Sequence, residues 1–158
     1  NGIILSPPQS VCFRISSLES LAYNSKNDGL ICSIIDCKNN NCYFALYKKS
    51  GTTIKILQKP QAESLDNTID ILKKNTSLPI TFIGDGAITY RDLLQKSFVD
   101  CSFVEDHLNY IDCYNLGIAG YRNFNTNYNH SDNLLPLYLK KPQAEKQWEE
   151  KHNACTNI

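Results

Sequence analysis

Three cysteines stand at equal intervals in the first third of the chain, a pattern that raises the possibility of metal binding. Cys32, Cys37 and Cys42 are separated from one another by four residues each. Structural zinc sites use cysteine and histidine ligands, commonly carried by short knuckle-like turns. Here Cys32 and Cys42 fall in predicted strands, and no histidine lies near them in the sequence. We therefore expect free thiols and no metal site.

A second candidate is the tripeptide Gly84-Asp85-Gly86, which follows a predicted strand and precedes a predicted helix. Backbone N–H groups at such a turn can bind phosphate. A phosphate-binding loop would also carry a lysine directly after the glycines, and this sequence has none there. The tripeptide is therefore interpreted as a strand-to-helix turn in which glycine supplies backbone freedom.

The three histidines are candidates for acid–base chemistry. His107 follows Glu105 and Asp106, and a carboxylate–imidazole pair can transfer protons near neutral pH. Residues adjacent in a polar loop rarely converge on one point, however. His130 lies in an asparagine-rich segment and His152 in the polar tail. We expect no catalytic residue and no bound cofactor in this chain.

The elements that would position these residues follow the order of an α/β domain. Three antiparallel strands are predicted first, followed by alternating helices and strands, with a right-handed crossover that makes a later strand parallel to the first. This order is typical of an RNase H-like fold, a mixed sheet flanked by helices, as in the actin and Hsp70 superfamily. Predicted strands cover residues 30–36, 42–48, 53–58, 80–83 and 102–104, and predicted helices start near residue 16 and cover 64–74, 87–96 and 110–124.

Composition sets limits on function. The 158 residues include 16 basic and 16 acidic side chains, so the chain lacks the basic excess of a protein that binds nucleic acid by itself. No apolar run reaches the roughly 18 to 20 residues that span a bilayer. The first 15 residues do not read as a signal peptide, and the seven cysteines are an odd number. We expect a cytoplasmic protein with reduced thiols.

Four segments, in order, resemble the TsaB/YeaZ family. Ser16–Ala22 is similar to the segment that leads into the second lobe of that family. The pair Ile34–Asp36 and Cys42–Tyr47 resembles its I-D-A-R and V-Y-x-A-x-Y hairpin, and Phe82–Ala87 resembles its G-D-G turn. Pro136–Glu145 resembles its P-x-Y-L-R-x-P-x-A-E ending, the most specific of the four.

The resemblance implies an organisation and a function. Residues 16–142 would form the C-terminal lobe, 1–15 a linker or foreign segment, and 143–158 a polar tail. Members of the family are non-catalytic scaffolds that support the catalytic subunit TsaD, together with TsaE, in forming threonylcarbamoyladenosine next to the anticodon of tRNA. Contact with tRNA would run through that complex. Peptidase chemistry is disfavoured, because the H-x-x-x-H motif of TsaD-like relatives has no counterpart here.

Two other functions remain open at this stage. The chain could be one lobe of an ATP-binding kinase or hydrolase of the same superfamily, or a binding module for an unrelated partner. The resemblance also implies an interface with a second lobe or partner, through exposed apolar side chains that would promote self-association, and a C-terminal stretch that keeps the lobes in register. The residues expected at this interface are Leu18, Leu21, Leu135, Leu137, Tyr138 and Lys140.

Overall fold

A computed structural model describes residues 15–126 and residue 139. One helix and three consecutive strands come first, and helices then alternate with the two later strands. The strands are β1 (Gly29–Asp36), β2 (Asn41–Ser50), β3 (Thr53–Ser64), β4 (Ile80–Ile83) and β5 (Cys101–Phe103). The helices are α1 (Ser17–Asn24), α2 (Leu65–Asn75), α3 (Asp85–Thr89), α4 (Arg91–Ser97) and α5 (Cys113–Thr126), with a 3-10 turn at Asp106–Asn109.

The five strands form one mixed sheet in the order β3-β2-β1-β4-β5. β2 is antiparallel to both β1 and β3, whereas β4 is parallel to β1 and β5 is parallel to β4. The predicted α/β fold, the three antiparallel strands and the parallel fourth strand are therefore confirmed. β1 lies at the centre of the sheet and is buried along most of its length, which explains its unbroken run of apolar residues.

Each face of the sheet carries its own hydrophobic core. Helices α2, α3 and α4 cover one face, where the alternate residues Cys32 and Ile34 of β1 point. Helix α1 covers the other face and packs on Ile31, Ala45 and Tyr47. Since side chains alternate along a strand, β1 contributes to both cores and connects them.

Of the two helix N-caps predicted at Ser16 and Ser64, only the one at Ser64 forms its side-chain hydrogen bond. The Ser64 hydroxyl accepts a hydrogen bond from the Asn67 backbone N–H at 3.3 Å, so the predicted cap of α2 is confirmed. Ser16 occupies the N-cap position of α1, but its side chain makes no capping hydrogen bond. The capping box expected from the Ser16 and Glu19 spacing is therefore not formed.

The single helix predicted over 87–96 is wrong, because the chain breaks at Tyr90 into α3 and α4. Tyr90 leaves the helical conformation (φ −106°, ψ 16°), and its hydroxyl donates to Asp36 at the end of β1. The last predicted helix also starts later than expected, at Cys113. Residues 106–109 form a 3-10 turn in which Asn109 is bonded to the Gly84 backbone. Both differences come from contacts between distant parts of the chain.

The expectation that Leu18 and Leu21 are exposed is also wrong. Both side chains are buried, because α1 turns its apolar face onto the sheet. Leu135, Leu137, Tyr138 and Lys140 lie outside the described residues, as do residues 1–14 and the predicted tail 143–158, so those expectations stay predictions. Within residues 15–126, no helix is both long and apolar enough to cross a membrane.

Gly84 lies against the backbone of Ile34 in β1, and substitution of this glycine tests the contact. Its φ of +110° disfavours any other residue, and an added Cβ would overlap the carbonyl oxygen of Ile34. We expect Gly84→Ala to lower the free energy of unfolding by roughly 3 kcal/mol or more, measured by urea denaturation. Gly51→Ala is the matched control, because Gly51 has a φ of +56° with open space around it and should cost only about 1 to 2 kcal/mol. Equal losses in the two variants would contradict the close approach.

Candidate functional site

Polar side chains gather where β1 and β4 end, at the same edge of the sheet. β2, which follows β1 in the chain, lies on one side of β1 in the sheet. β4 lies on the other side of β1 and is followed by α3. In open α/β sheets, ligands bind at the carboxyl ends of strands where the direction of the connections changes in this way. The cluster formed by Asp36, Lys38, Asp85, Tyr90 and Asn109, here called the edge cluster, is the candidate functional site.

Two glycines bring the end of β4 against the end of β1. An added Cβ on Gly86 would lie 2.5 Å from the Ile34 Cγ2 atom, and Gly84 approaches the same residue through its backbone. This contact allows the Asp85 carboxylate to accept a hydrogen bond from the Asp36 backbone N–H at 3.1 Å. On the other side of the turn, the buried Asn109 side chain accepts from the Gly84 N–H at 2.9 Å.

The Asp36 carboxylate is the centre of the edge cluster. Its Oδ1 atom accepts from the Tyr90 hydroxyl at 2.6 Å and from the Lys38 backbone N–H at 2.8 Å, and its Oδ2 atom lies 3.0 Å from the Lys38 Nζ atom. Only 7% of the side chain is exposed. The hydrogen bonds from Tyr90 and Lys38 lower the pKa of Asp36 despite its burial, so it is a carboxylate at neutral pH.

Tyr90 shows the complementary change. Burial and the hydrogen bond to Asp36 both raise the pKa of the Tyr90 phenol, since a phenolate beside a carboxylate would be repelled. Tyr90 therefore stays a neutral donor. A longer contact of 3.4 Å to the Asn41 carbonyl oxygen connects the same hydroxyl to β2.

The turn between β1 and β2 is held by the same carboxylate. Lys38, Asn39 and Asn40 all adopt positive φ angles, between 53° and 64°. Asparagine tolerates this conformation better than most residues, but lysine does not. The two hydrogen bonds from Lys38 to Asp36 offset part of that cost.

The polar groups of the edge cluster thus form hydrogen bonds with one another. Both Asp36 oxygens accept hydrogen bonds, the Gly84 N–H donates to Asn109, and the Asp36 N–H donates to Asp85. These are the groups that a general base or a phosphate-binding turn would need to offer to a ligand. Gly84 follows β4 as the N-cap residue of α3, and Asp85 and Gly86 are the first residues of that helix, which therefore begins two residues earlier than predicted.

The evenly spaced cysteines do not form a ligand set. Cys32 and Cys42 are buried within β1 and β2, and burial raises the pKa of both thiols, which disfavours the thiolate that a metal requires. The Cys42 sulfur lies 3.3 Å from the Thr68 hydroxyl, and the Cys37 thiol points to the Ile35 carbonyl oxygen at 3.8 Å. In the part of the chain that the structure describes, no three His, Cys, Asp or Glu side chains are grouped so that they could hold a metal ion.

His107 and Glu105, whose convergence the sequence analysis disfavoured, lie close together on the surface. The His107 Nδ1 atom lies 3.5 Å from the Glu105 carboxylate, and the two side chains are 66% and 64% exposed. Asp106 pairs instead with Arg91 at 3.5 Å. This arrangement has the character of a solvated surface pair. His130 and His152 lie outside the described residues.

Three residues of the edge cluster are not among the candidate site residues identified from the sequence. Lys38 and Asn109 occupied predicted loops, and Tyr90 was placed inside a continuous helix. Tyr90 and Asn109 belong to no recognisable spacing, because their bonds to Asp36 and Gly84 join segments 54 and 25 residues apart. For Lys38 a local signal exists, because an aspartate side chain often accepts from the backbone N–H two residues later, as Asp36 does here at 2.8 Å.

Comparison with solved structures identifies the fold. One match is described as an uncharacterized protein with similarity to peptidase YEAZ from Pseudomonas aeruginosa, with a TM-score of 0.56, 15% identity and 80% of this chain covered. A second, YeaZ from Pseudomonas aeruginosa, gives a TM-score of 0.52, 15% identity and 79% coverage. The chain spans 57% of the length of each. No family model matches the sequence, and a search of curated proteins gives no significant match.

The chain therefore has the YeaZ (TsaB) fold, as its motifs predicted. The identity of 15% establishes the architecture alone.

The edge cluster predicts an acid-sensitive contribution to stability. Because the folded-state pKa of Asp36 is lowered, its stabilising effect is present above the unfolded value of about 3.9 and is lost as the pH falls through the folded pKa. We expect the free energy of unfolding to decrease below about pH 4, and to decrease less in Asp36→Asn. Urea denaturation between pH 7 and pH 2.5 measures both. Parallel curves for the two proteins would contradict the assignment.

Removal of the Tyr90 hydroxyl tests the central bond directly. Tyr90→Phe leaves a buried carboxylate without its shortest partner, so we expect a loss of about 1.5 to 3 kcal/mol in the free energy of unfolding at pH 7. Tyr114→Phe is the matched control, because that side chain is exposed and should change stability by less than about 0.5 kcal/mol. Similar losses in both variants would show that the bond to Asp36 contributes nothing specific.

Proposed function

We propose that this chain is the C-terminal lobe of a TsaB/YeaZ-like scaffold, which supports a TsaD-like catalytic subunit and works with a TsaE-like ATPase in tRNA threonylcarbamoyladenosine synthesis. The observation that carries the proposal is the YeaZ fold over 80% of the chain. The hairpin after Asp36 and the Gly84–Gly86 turn, which resemble family motifs, are also neighbours in space at one edge of the sheet.

The internal bonding of the edge cluster supports a scaffold over an enzyme. A catalytic carboxylate needs a free oxygen that faces its substrate. Both oxygens of Asp36 instead accept hydrogen bonds from Tyr90 and Lys38, and the side chain is only 7% exposed. Such a residue stabilises the position of neighbouring elements. This is the property expected of a lobe whose task is to present a fixed surface to a partner protein.

The charge balance supports contact with tRNA through that partner. Sixteen basic residues are matched by sixteen acidic ones, so the chain has no net attraction for a polyanion. In this proposal, the TsaD-like subunit provides the metal, the chemistry and most of the tRNA contact, and the complex acts in the cytoplasm.

The alternative is one lobe of an ATP-binding enzyme of the same superfamily. The position of Gly84-Asp85-Gly86 at the switch in connection direction favours it, because nucleotides bind at such places in open sheets. Against it stands the hydrogen bond from the Gly84 N–H to Asn109, which removes one donor that a phosphate would use.

Calorimetric titration separates the two functions. The full encoded protein is titrated with the TsaD-like subunit of the same organism and, in a separate experiment, with ATP and Mg²⁺. We expect saturable binding to the TsaD-like subunit and no heat of binding with ATP, because the Gly84 N–H already donates to Asn109 and the Asp85 carboxylate lies at the same turn. Binding of ATP without binding of the TsaD-like subunit would contradict the scaffold proposal and favour the enzyme.

A matched variant shows whether the edge cluster acts through the fold alone. Tyr90→Phe removes one hydroxyl without changing the outer surface, so its effect on binding should follow its effect on stability. At a temperature where the variant is fully folded, we expect unchanged affinity for the TsaD-like subunit. A large loss of affinity in the folded variant would mean that the edge cluster itself contacts the partner.

A further inference from the structure

Two polar side chains of helix α1 are buried and have an oxygen atom that makes no hydrogen bond. Ser20 is 0% exposed and Asn24 is 5% exposed. Among the residues that the structure describes, neither the Ser20 Oγ atom nor the Asn24 Oδ1 atom has a hydrogen-bond partner. Buried polar groups in native proteins are almost always bonded, either to protein atoms or to an ordered water molecule. These two atoms therefore indicate a binding site for a small polar ligand.

The orientation of the Asn24 side chain is determined by its nitrogen atom. Nδ2 donates to the Leu108 carbonyl oxygen at 3.0 Å and to the Tyr110 carbonyl oxygen at 2.7 Å. Turning the amide over would place its oxygen against two carbonyl oxygens, which only accept hydrogen bonds. The Oδ1 atom therefore faces away from the two carbonyl groups, and it needs a donor from another source.

The Ser20 hydroxyl does not make the bond that is common for a serine inside a helix. Such a hydroxyl often donates to the carbonyl oxygen of the residue four positions earlier. Here the Ser16 carbonyl oxygen accepts from the Ser20 backbone N–H at 2.9 Å, and within the described part of the chain no atom bonds to Ser20 Oγ. The hydroxyl hydrogen is therefore available to a ligand.

Ser20 and Asn24 lie one helical turn apart on the same flank of α1. Residues four positions apart in a helix have Cβ atoms about 5 to 6 Å from each other. The two oxygen atoms are not bonded to each other. A water molecule that bonds to both would span roughly 5.6 Å, which is two hydrogen bonds of about 2.8 Å. One bridging water molecule therefore fits the spacing of the two residues.

The surroundings of this flank favour water over other ligands. Leu18 and Leu21 of α1 face the sheet, whereas α5 and the 3-10 turn at Asp106–Asn109 also contact α1. Ser20 and Asn24 are both neutral and provide one hydroxyl and one amide oxygen, and a calcium ion would need about six to eight oxygen ligands. An internal water molecule needs only about two to four polar partners.

We propose that an internal water molecule bridges Ser20 and Asn24. The Ser20 hydroxyl donates to the water oxygen, and the water donates to the Asn24 Oδ1 atom. The water thereby holds the Asn24 amide, whose nitrogen binds the carbonyl groups on both sides of Asn109. The Asn109 side chain in turn accepts from the Gly84 N–H of the edge cluster. This site does not depend on the proposed scaffold function.

Ser33 of β1 is the matched control. Its side chain is also 0% exposed, and its hydroxyl likewise has no hydrogen-bond partner among the described residues. The residues beside it on the neighbouring strands are Ala45 and Ile83, whose side chains are apolar. A water molecule at Ser33 would have no second polar side chain on these strands to bridge to. We therefore expect Ser33→Ala to leave stability unchanged or to increase it.

The direct test is a high-resolution crystal structure of the full encoded protein, together with NOE measurements between water and protein protons in solution. We expect a water molecule within hydrogen-bonding distance of Ser20 Oγ and Asn24 Oδ1, and an NOE from water to the Asn24 side-chain amide. Both signals should persist in Ser33→Ala and disappear in Ser20→Ala. A wild-type crystal structure in which no water contacts both atoms would overturn the proposal, as would a direct bond from the Ser20 hydroxyl to the Ser16 carbonyl oxygen.

Stability gives a second measurement on the same variants. Ser20→Ala removes one of the two partners of the water and leaves the buried Asn24 oxygen less well bonded. We expect the equilibrium constant for unfolding to rise about five-fold or more in Ser20→Ala, measured by urea denaturation, and not to rise in Ser33→Ala. If Ser20→Ala is as stable as the wild type, or if both variants lose the same stability, the bridge is absent and the proposal is wrong.

Discussion

The contact between the Gly84–Gly86 turn and the end of β1 is the constraint on which the rest of the structure depends. It requires two residues without side chains, because a Cβ at either glycine would overlap Ile34. Once the turn is in place, β4 lies parallel to β1, α3 starts beside Asp36, and the Gly84 N–H is available to Asn109. The position of the start of α3 beside the end of β1 therefore depends on this close approach to Ile34.

The same contact determines what the candidate site can do. It brings polar groups of the hairpin turn, of α3 and of the 3-10 turn close enough to bond with one another, and those bonds occupy both Asp36 oxygens and the Gly84 N–H. The hydrogen bonds from Tyr90 and Lys38 lower the pKa of Asp36 against the effect of its burial, whereas burial and the bond to Asp36 together raise the pKa of Tyr90. Perturbed ionisation here reflects structural pairing, which is a common alternative to catalysis. Such pairing keeps neighbouring elements in fixed positions, which is what the proposed scaffold function requires.

The elements with a strong local signal could be predicted from the sequence. The unbroken apolar run of β1 and the cap at Ser64 gave the sheet and α2 correctly, since both depend on residues close together in the chain. The helix break at Tyr90 and the hydrogen bond from the Gly84 N–H to Asn109 could not be predicted. Each depends on a contact with a distant segment, and such contacts leave no periodic pattern in the sequence. Leu18 and Leu21 show a further limit. Their spacing indicated an apolar helix face, but only the tertiary structure decides whether such a face meets its own sheet or a partner.

The central claim is that this chain provides the scaffold lobe of a tRNA-modifying complex. The most direct measurement is the amount of threonylcarbamoyladenosine in total tRNA, determined by nucleoside mass spectrometry in the source organism after the encoded protein is depleted. The account predicts that the modified nucleoside falls sharply and is restored by the wild-type protein and by a folded Asp36→Asn variant, because Asp36 has no part in the chemistry. An unchanged level of the nucleoside after depletion would contradict the account.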